Sequence, residues 1–421
     1  MVITIFGQGF VGLTTALGFS EYGHTVYGVE INPERLATIQ GGKLPFLEPG
    51  LDGALVRHLN KGFHPIDASH EALKKAISES DAVYYCVGTP YGEDGQADLK
   101  YLFSAIDQTL AAIEDDKFRV LVTKSTIPPS TCSRKIIPYL EEKGIKVGER
   151  FGVANNPEFL REGHCWDDFM GADRIVLGVS DKHSEEILRS IYANQSAPVF
   201  CVSLNTGEFI KYLSNTLLAT LISYSNEMSI VADTIGGIDV ATAFRILHMD
   251  KRWGGCNMAS YAYPGCGYGG YCLPKDTNAL YAVTKRAGFD AEILKNVIRT
   301  NDNMPQIIAN RILKAINGDV NVTIGVLGLS FKPESDDVRD APSAKIIRGL
   351  NGAGCKHIVA YDPVADEEFA KHYPDLEMTN LESYQEVLDK ADVLVIATAW
   401  KEFGDIQSRT NKAIVDCRYM L

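Results

Sequence analysis

No stretch of the 421-residue chain approaches the roughly 20 consecutive apolar residues of a membrane-spanning helix, so no membrane partner is expected. Basic charge is also scarce: 41 Lys and Arg stand against 54 Asp and Glu, a formal charge of −13. Binding a phosphate backbone takes a basic surplus, so nucleic acid is not an expected partner either, although a pocket can be locally basic on an acidic protein. The nine cysteines are odd in number and contain no C-x-x-C pair. That argues against a disulfide framework and a structural zinc site; no metal is assigned, and a reducing cytoplasm is the expected compartment. Met1-Val2-Ile3-Thr4-Ile5-Phe6 lacks the charged region and cleavage site of a signal peptide and reads as a strand. Low-complexity segments and sequence repeats are missing too. What remains is an ordinary globular composition, 45% apolar and 23% charged, long enough for two or three domains.

The opening strand runs into Gly7-Gln8-Gly9-Phe10-Val11-Gly12, then an apolar helix, then a second strand, His24–Val29, ending in Glu30. This is a βαβ unit carrying G-x-G-x-x-G in its expected context, with an acidic residue 18 positions past the last glycine. Gly7 permits the tight turn, Gly9 admits a pyrophosphate against the backbone, and Gly12 lets helix pack on strand. Phosphates favour the helix N-terminus, where unpaired N–H groups and the dipole meet negative charge. Glu30 can accept from both ribose hydroxyls and would repel a 2′-phosphate, so the expected cofactor is NAD rather than NADP.

Further parallel-strand candidates follow: Ala82–Val87, Arg119–Thr123, Phe151–Ala154 and Arg174–Gly178. Several end in polar blocks, namely Gly88-Thr89-Pro90, Lys124-Ser125-Thr126 and Asn155-Asn156-Pro157-Glu158, where α/β sheets bind ligands. From Asn205 to about Gly236 the pattern becomes one long breaker-free helix, read as a spine and a dimer surface. Helical pieces continue to about residue 315, interrupted by a Gly/Tyr-rich loop, Trp253 to Tyr271. Alternation then restarts with Val322–Leu327, His357–Tyr361, Val393–Thr398 and Ala413–Asp416. The expected fold is α/β, two Rossmann-like doubly wound domains joined by a long central helix and a helical dimerisation region. The boundaries are 1–202 for a NAD-binding domain, 203–315 for the spine with its cysteine loop, and 316–421 for a second nucleotide-binding domain.

The most informative segment is Gly267-Tyr268-Gly269-Gly270-Tyr271-Cys272-Leu273-Pro274-Lys275-Asp276-Thr277. Glycines allow close approach of backbone to ligand, and a cation near a cysteine favours the reactive thiolate. The residues alone leave Cys272 open between a nucleophile and a small core side chain.

Five blocks in one order carry a resemblance over nearly the whole chain. They are Gly88-Thr89-Pro90 with Asp94-Gly95 and Asp98-Leu99; Lys124-Ser125-Thr126 with Pro128-Pro129; Asn156-Pro157-Glu158-Phe159-Leu160-Arg161-Glu162-Gly163; Gly269-Gly270-Tyr271-Cys272-Leu273-Pro274-Lys275-Asp276; and Phe331-Lys332-Pro333 with Asp336-Asp337-Val338-Arg339. In these blocks the chain resembles the nucleotide-sugar 6-dehydrogenases, the UDP-glucose/GDP-mannose family. The resemblance implies oxidation of a sugar C6 alcohol to a carboxylate with two NAD⁺ and one water, through a cysteine thiohemiacetal and thioester. By position Cys272 is the nucleophile.

The resemblance also assigns the surrounding residues. Lys211 and Asn215, four apart on one helix face, would stabilise the oxyanion, and Lys211 would take the hydroxyl proton only if its pKa is lowered. Glu158 would lie near the sugar and Glu162 is a candidate base for the hydrolytic water, with Thr126 and Asp276 helping to hold that water. The choice of base among Glu162, Asp276 and Lys211 stays open. Phe159, Leu160 and Arg161 would wrap the sugar, Tyr261 and Gly269 line the nucleotide-sugar site, and Lys332 meets the phosphates. Arg252 would reach the sugar from the neighbouring subunit of a homodimer. Phe10, Val11, Arg35, Thr89, Thr126, Glu162, Lys275 and Arg339 complete the cofactor side.

The wording Tyr271-Cys272-Leu273-Pro274 leans toward UDP-glucose, with GDP-mannose or another UDP-hexose as alternative. Three positions depart from the family pattern: Glu30 for aspartate, Trp253 for isoleucine, and Cys266 for phenylalanine. Cys266 is read as a packing residue rather than a disulfide partner of Cys272. A two-electron alcohol or hydroxy-acid dehydrogenase would explain the first domain but leave Cys272 and the last domain idle. A catalytically silent sugar-nucleotide binder would leave Lys211, Asn215, Cys272 and Asp276 unused.

Overall fold

The computed structural model describes residues 1–90, 96–250 and 261–421, which divide into two compact units, Met1–Leu213 and Ser214–Leu421. In the first unit eight strands form one sheet: β1 (Val2–Phe6), β2 (Thr25–Val29), β3 (Phe63–Ile66), β4 (Ala82–Tyr85), β5 (Arg119–Thr123), β6 (Phe151–Asn155), β7 (Ile175–Val179) and β8 (Val199–Ser203). Their order is β3-β2-β1-β4-β5-β6-β7-β8, so the chain builds outward from β1 in both directions. The crevice where that order reverses, at the carboxyl ends of β1 and β4, is where doubly wound sheets receive ligands.

These strands read as near-continuous apolar runs because both faces are covered. Ile3, Ile5, Tyr84, Val120 and Val122 pack in one core with Leu13 and Leu17 of the helix Phe10–Glu21. Phe6, Val83, Tyr85 and Leu121 point the opposite way, into a core shared with Leu102 and Ile106 of the helix Lys100–Ala111.

One expectation needs correction. The strand anticipated at Arg174–Gly178 is β7, but it pairs antiparallel with β6, Ala154 opposite Val179 and Asn155 opposite Gly178. A parallel neighbour would require residues 156–174 to cross the sheet and return, usually with a substantial helix. Here that connection holds only the six-residue helix Cys165–Met170. It turns back at the carboxyl end of β6 and keeps the Glu158–Glu162 segment at the ligand-binding edge.

The 32-residue helix Leu204–Ile235 contains the boundary between the units. No helix among the described residues is long and apolar enough to cross a membrane. The second unit holds the helices Cys272–Arg286, Glu292–Ala315 and Pro342–Gly352 and a parallel five-stranded sheet. Its strands are β9 (Ile324–Leu327), β10 (Ile358–Tyr361), β11 (Thr379–Asn380), β12 (Val393–Ile396) and β13 (Ala413–Asp416), ordered β11-β10-β9-β12-β13. Again alternate residues serve two cores: Val326, Val393 and Val395 in one, Leu327, Leu394 and Ile396 in the other.

Candidate active site

At the carboxyl end of β1 the turn residue Gly7 adopts φ of 86°, and a Cβ on it would meet the Cys86 carbonyl oxygen at 2.9 Å. Gly12 is tighter still: its Cβ would lie 1.8 Å from the Gly7 carbonyl oxygen. Gly9 caps the following helix and has nothing within 4 Å of its Cβ position, so the helix N-terminus is approachable there. Glu30 is buried, and its carboxylate accepts from Gln8 N–H at 3.1 Å and Asn32 N–H at 2.8 Å, with Arg35 at 3.5 Å. The acidic residue after β2 therefore shapes the glycine turn as well as offering oxygens to a ribose. Phe10 and Val11 open the helix. The Thr89 hydroxyl donates to the Thr126 carbonyl at 2.9 Å and ties the ends of β4 and β5 together.

This arrangement fits a dinucleotide: open backbone at a helix N-terminus, a close-packed glycine behind it, and a carboxylate at the end of the adjacent strand. Glu30→Ala is expected to weaken NAD binding about 10- to 100-fold, the value of charge-assisted hydrogen bonds lost to ribose and turn, and to narrow the discrimination against NADP. Fluorescence titration with NADH and NADPH checks both.

The segment after β6 is held by carboxylates. Glu158 is buried; its Oε1 pairs with Lys211 Nζ at 2.8 Å and its Oε2 accepts from Leu160 N–H at 2.7 Å. Burial opposes the Glu158 charge, but the lysine beside it wins and holds the carboxyl below its ordinary range. The Phe159 ring lies under two cations, Arg174 at 4.1 Å and Lys211 at 5.5 Å from its centroid. Arg161 is turned to the surface, where its guanidinium grips Asp168 at 2.6 and 3.0 Å. Glu162 is half-buried, and the next turn is fixed by Glu48, which accepts from Gly163 N–H at 3.0 Å and Cys165 N–H at 2.7 Å. Glu208, one helical turn before Lys211, accepts from Cys132 N–H at 2.7 Å and from Ser130 N–H. Glu48 and Glu208 escaped the sequence reading because surface glutamates look the same in one dimension.

In the second unit Cys272 is the first residue of the helix Cys272–Arg286 and is exposed. One turn on, Lys275 and Asp276 are buried and ion-paired, and Asn215 Nδ2 donates to the other Asp276 oxygen at 2.6 Å. Burial works against the Lys275 ammonium, yet Asp276 and then Cys272 outweigh it and raise its pKa. Arg339 stacks over the Tyr271 ring at 4.7 Å while its guanidinium is oriented by Asp337 at 2.6 Å. The glycine loop rests on the segment that carries Lys332 and Arg339. Gly270 N–H donates to the Arg339 carbonyl at 2.9 Å, and a Cβ on Gly269 would fall 2.5 Å from the Asp340 carbonyl oxygen. Lys332 is half-buried beside Phe331, and Tyr261 is half-buried.

Two residues here went unforeseen. Asn301, buried mid-helix, clamps the loop by accepting from Tyr268 N–H at 2.7 Å and donating to its carbonyl at 3.1 Å. Asp362, after β10, accepts from Leu329 and Ser330 N–H at 2.7 and 3.0 Å and from Trp400 Nε1 at 3.1 Å, as Glu30 does for the first turn. No disulfide links cysteines among the described residues. Cys266 is buried, its thiol 3.7 Å from the Ala397 carbonyl. Arg252, Trp253, Asp94 and Gly95 lie outside the described residues.

A doubly wound sheet with this first turn, and a cysteine opening a helix beside a buried Lys–Asp pair, defines a NAD-binding α/β oxidoreductase. Comparison with known proteins narrows the class. Residues 1–196 match the NAD binding domain of the UDP-glucose/GDP-mannose dehydrogenase family, 205–303 its central domain and 325–421 its UDP binding domain. A UDP-glucose 6-dehydrogenase of Rickettsia bellii (strain RML369-C) is 37% identical over 413 residues, covering 96% of this chain and 90% of the relative. Among solved structures, a UDP-glucose dehydrogenase from the hyperthermophilic archaeon Pyrobaculum islandicum superposes with a TM-score of 0.92 at 34% identity, covering 100% of this chain and 94% of that one. A UDP-D-ManNAc dehydrogenase from Pyrococcus horikoshii gives 0.86 at 27% identity, with 100% and 96% covered. The chain belongs to the UDP-glucose/GDP-mannose dehydrogenase family and is an NAD-dependent oxidoreductase.

Proposed function

We propose that the protein oxidises UDP-glucose at C6 to UDP-glucuronate, a four-electron reaction that consumes two NAD⁺ and one water. The observation that carries this reading is Cys272: an exposed thiol at a helix N-terminus, beside a buried Lys275–Asp276–Asn215 constellation that a two-electron dehydrogenase does not need. Bound NAD⁺ supplies a hydride acceptor, once for the alcohol and once for the thiol adduct. Lys211 takes the C6 hydroxyl proton as the hydride leaves, which gives the aldehyde. Cys272 Sγ, favoured as thiolate by the helix N-terminus and the Lys275 ammonium, forms a C–S bond to the carbonyl carbon. Lys211 and Asn215 stabilise the resulting oxyanion as donors.

Loss of the second hydride leaves a thioester. A water loses its proton to Asp276 or Glu162, held with the help of Thr126, and attacks the thioester carbon. The C–S bond then breaks with its electron pair returning to sulfur, and the carboxylate departs. Phe159, Leu160 and Arg161 contact the sugar mainly through backbone. Tyr261, Gly269 and Lys332 belong to the nucleotide side, Lys275 and Arg339 to the cofactor side. On the same reading the enzyme is a cytoplasmic homodimer in which Arg252 serves the neighbouring subunit's sugar, and residues 1–202, 203–315 and 316–421 are its three functional parts.

The test is stoichiometric. Two NADH per UDP-glucose consumed is the expected result. One NADH with aldehyde accumulating would make this a two-electron enzyme, and a preference for GDP-mannose or another UDP-hexose in direct competition would reassign the substrate.

A further inference from the structure

The turn after β9 is held from three sides by buried side chains. Asp362, directly after β10, is 2% exposed. Its Oδ2 accepts from Leu329 N–H at 2.7 Å, Ser330 N–H at 3.0 Å and Trp400 Nε1 at 3.1 Å. Its Oδ1 accepts from Val364 N–H at 3.1 Å and Ala365 N–H at 3.0 Å. The carbonyls of the same turn are met as well: Ser343 Oγ donates to Leu329 and Thr398 Oγ1 to Ser330, both at 2.6 Å. Every backbone polar group of Leu329 and Ser330 thus has a side-chain partner, as burial of both residues requires. A carboxylate offers about four lone-pair sites, so Asp362 is saturated by its own domain. Glu30, at the corresponding strand end of the first unit, accepts from two backbone N–H groups and keeps capacity for a ribose.

We propose, building on the functional reading above, that Asp362 is a positioning residue for Lys332 and through it sets the affinity for the diphosphate of the sugar nucleotide. The connection is short. Ser330 Oγ lies 3.0 Å from Asp362 Oδ2 and 3.0 Å from the Lys332 carbonyl oxygen, so its one proton bridges the carboxylate and the lysine backbone. Leu329 and Ser330 are buried, and the next two residues, Phe331 and Lys332, emerge half-buried. Phe331 N–H is in turn fixed on the Asp337 carbonyl at 3.1 Å. A lysine that leaves so rigid a turn meets a phosphate with little ordering left to do, which is how preorganisation raises affinity. The negative charge is required. An asparagine at 362, whichever way its amide faced, would aim an NH2 group at N–H donors, either those of Leu329 and Ser330 or those of Val364 and Ala365.

The test is a double-mutant cycle on the full-length chain, with UDP as the probe and calorimetry as the readout. Lys332→Met and Asp362→Asn should each weaken UDP binding about 10- to 100-fold, the worth of one hydrogen bond to a charged group. Adding Asp362→Asn to Lys332→Met should cost no more than about threefold further, because the two residues act as one. NADH affinity should stay within about threefold in both single variants. In turnover, Asp362→Asn should raise KM for UDP-glucose in step with the UDP dissociation constant and leave kcat within about threefold. A role in packing alone would multiply the two single effects in the double variant, or would lower NADH affinity and kcat together with UDP affinity. Either pattern overturns the proposal, as does wild-type UDP affinity in Asp362→Asn.

The binding cycle needs no turnover, so the two readings fail separately. Absent NADH from UDP-glucose with a non-additive cycle overturns only the functional reading. Two NADH per UDP-glucose with an additive cycle overturns only the role of Asp362. If Asp362→Asn does not fold, Ser330→Ala decides, since it removes just the hydroxyl that bridges Asp362 and Lys332. It should weaken UDP binding about three- to tenfold in the wild-type background and by less than about twofold in Lys332→Met. Equal losses in both backgrounds, or none in either, refute the proposal.

Discussion

Cys272→Ser is expected to lose at least about 1,000-fold in turnover with UDP-glucose, with NAD and UDP-glucose affinities within about threefold of wild type. The argument has three parts. Cys272 is exposed at the start of its helix, so one atom changed there disturbs little packing and the fold should be retained. A serine hydroxyl does not ionise under conditions in which a thiol near an ammonium does, so attack on the aldehyde slows. An oxygen ester, once formed, also resists hydrolysis more than a thioester, so a covalent adduct should accumulate and add the mass of the sugar nucleotide to the intact chain. Stopped-flow NADH formation and intact mass measurement read the two effects separately. Turnover within tenfold of wild type, with two NADH still formed per sugar, would show that the second oxidation does not pass through sulfur.

Much of this site was legible in the sequence, and the reasons differ by element. The first turn was readable because its constraints are local: Gly7 must take a positive φ and Gly12 must lack a Cβ, so the residue types announce the geometry. β1, β4, β5 and β6 were readable because strands buried on both faces become apolar runs. The edge strands were not. β3 is Phe63-His64-Pro65-Ile66, with a proline that edge position tolerates, and β8, Val199–Ser203, is only half-buried to exposed although four of its residues are apolar. The direction of β7 was illegible because no side chain in Ile175–Val179 encodes it; the connection decides.

The block at Lys124 was noticed only as a polar strand end. Its buried ammonium is held by Asn156, 32 residues away, a pairing with no local mark. Asn301 reaches the glycine loop across 33 residues in the same way. Local stereochemistry leaves a mark in sequence; the pairing of buried charges does not.

Gly12→Ala and Gly9→Ala should separate two roles that one fingerprint merges. At Gly12 the added methyl would sit 1.8 Å from the Gly7 carbonyl oxygen and 3.2 Å from the Cys86 Cβ. Backbone cannot swing aside like a side-chain tip, so the helix must shift off the strand that it covers. Overpacking of this severity costs about 3 kcal/mol or more, which lowers Tm by roughly 6–12 °C in a unit of this size. NAD binding should fall with it, because the helix N-terminus moves. At Gly9 the methyl meets nothing within 4 Å, so the ligand-free protein should tolerate it. The only local penalty is alanine in place of glycine at a helix N-cap, about 1 kcal/mol or less, and Tm should move by no more than about 3 °C. Yet that open space is where a pyrophosphate must approach the N–H groups, and a methyl there displaces it. The loss of one or two charge-assisted hydrogen bonds amounts to about 100-fold in NAD affinity. Calorimetric melting and NADH titration of the two variants therefore give opposite patterns: Gly12→Ala loses stability and binding together, Gly9→Ala loses binding alone. Wild-type NAD affinity in Gly9→Ala would place the pyrophosphate away from the helix N-terminus, and a wild-type Tm in Gly12→Ala would mean that the close contact between helix and turn is not what holds β1 to its helix.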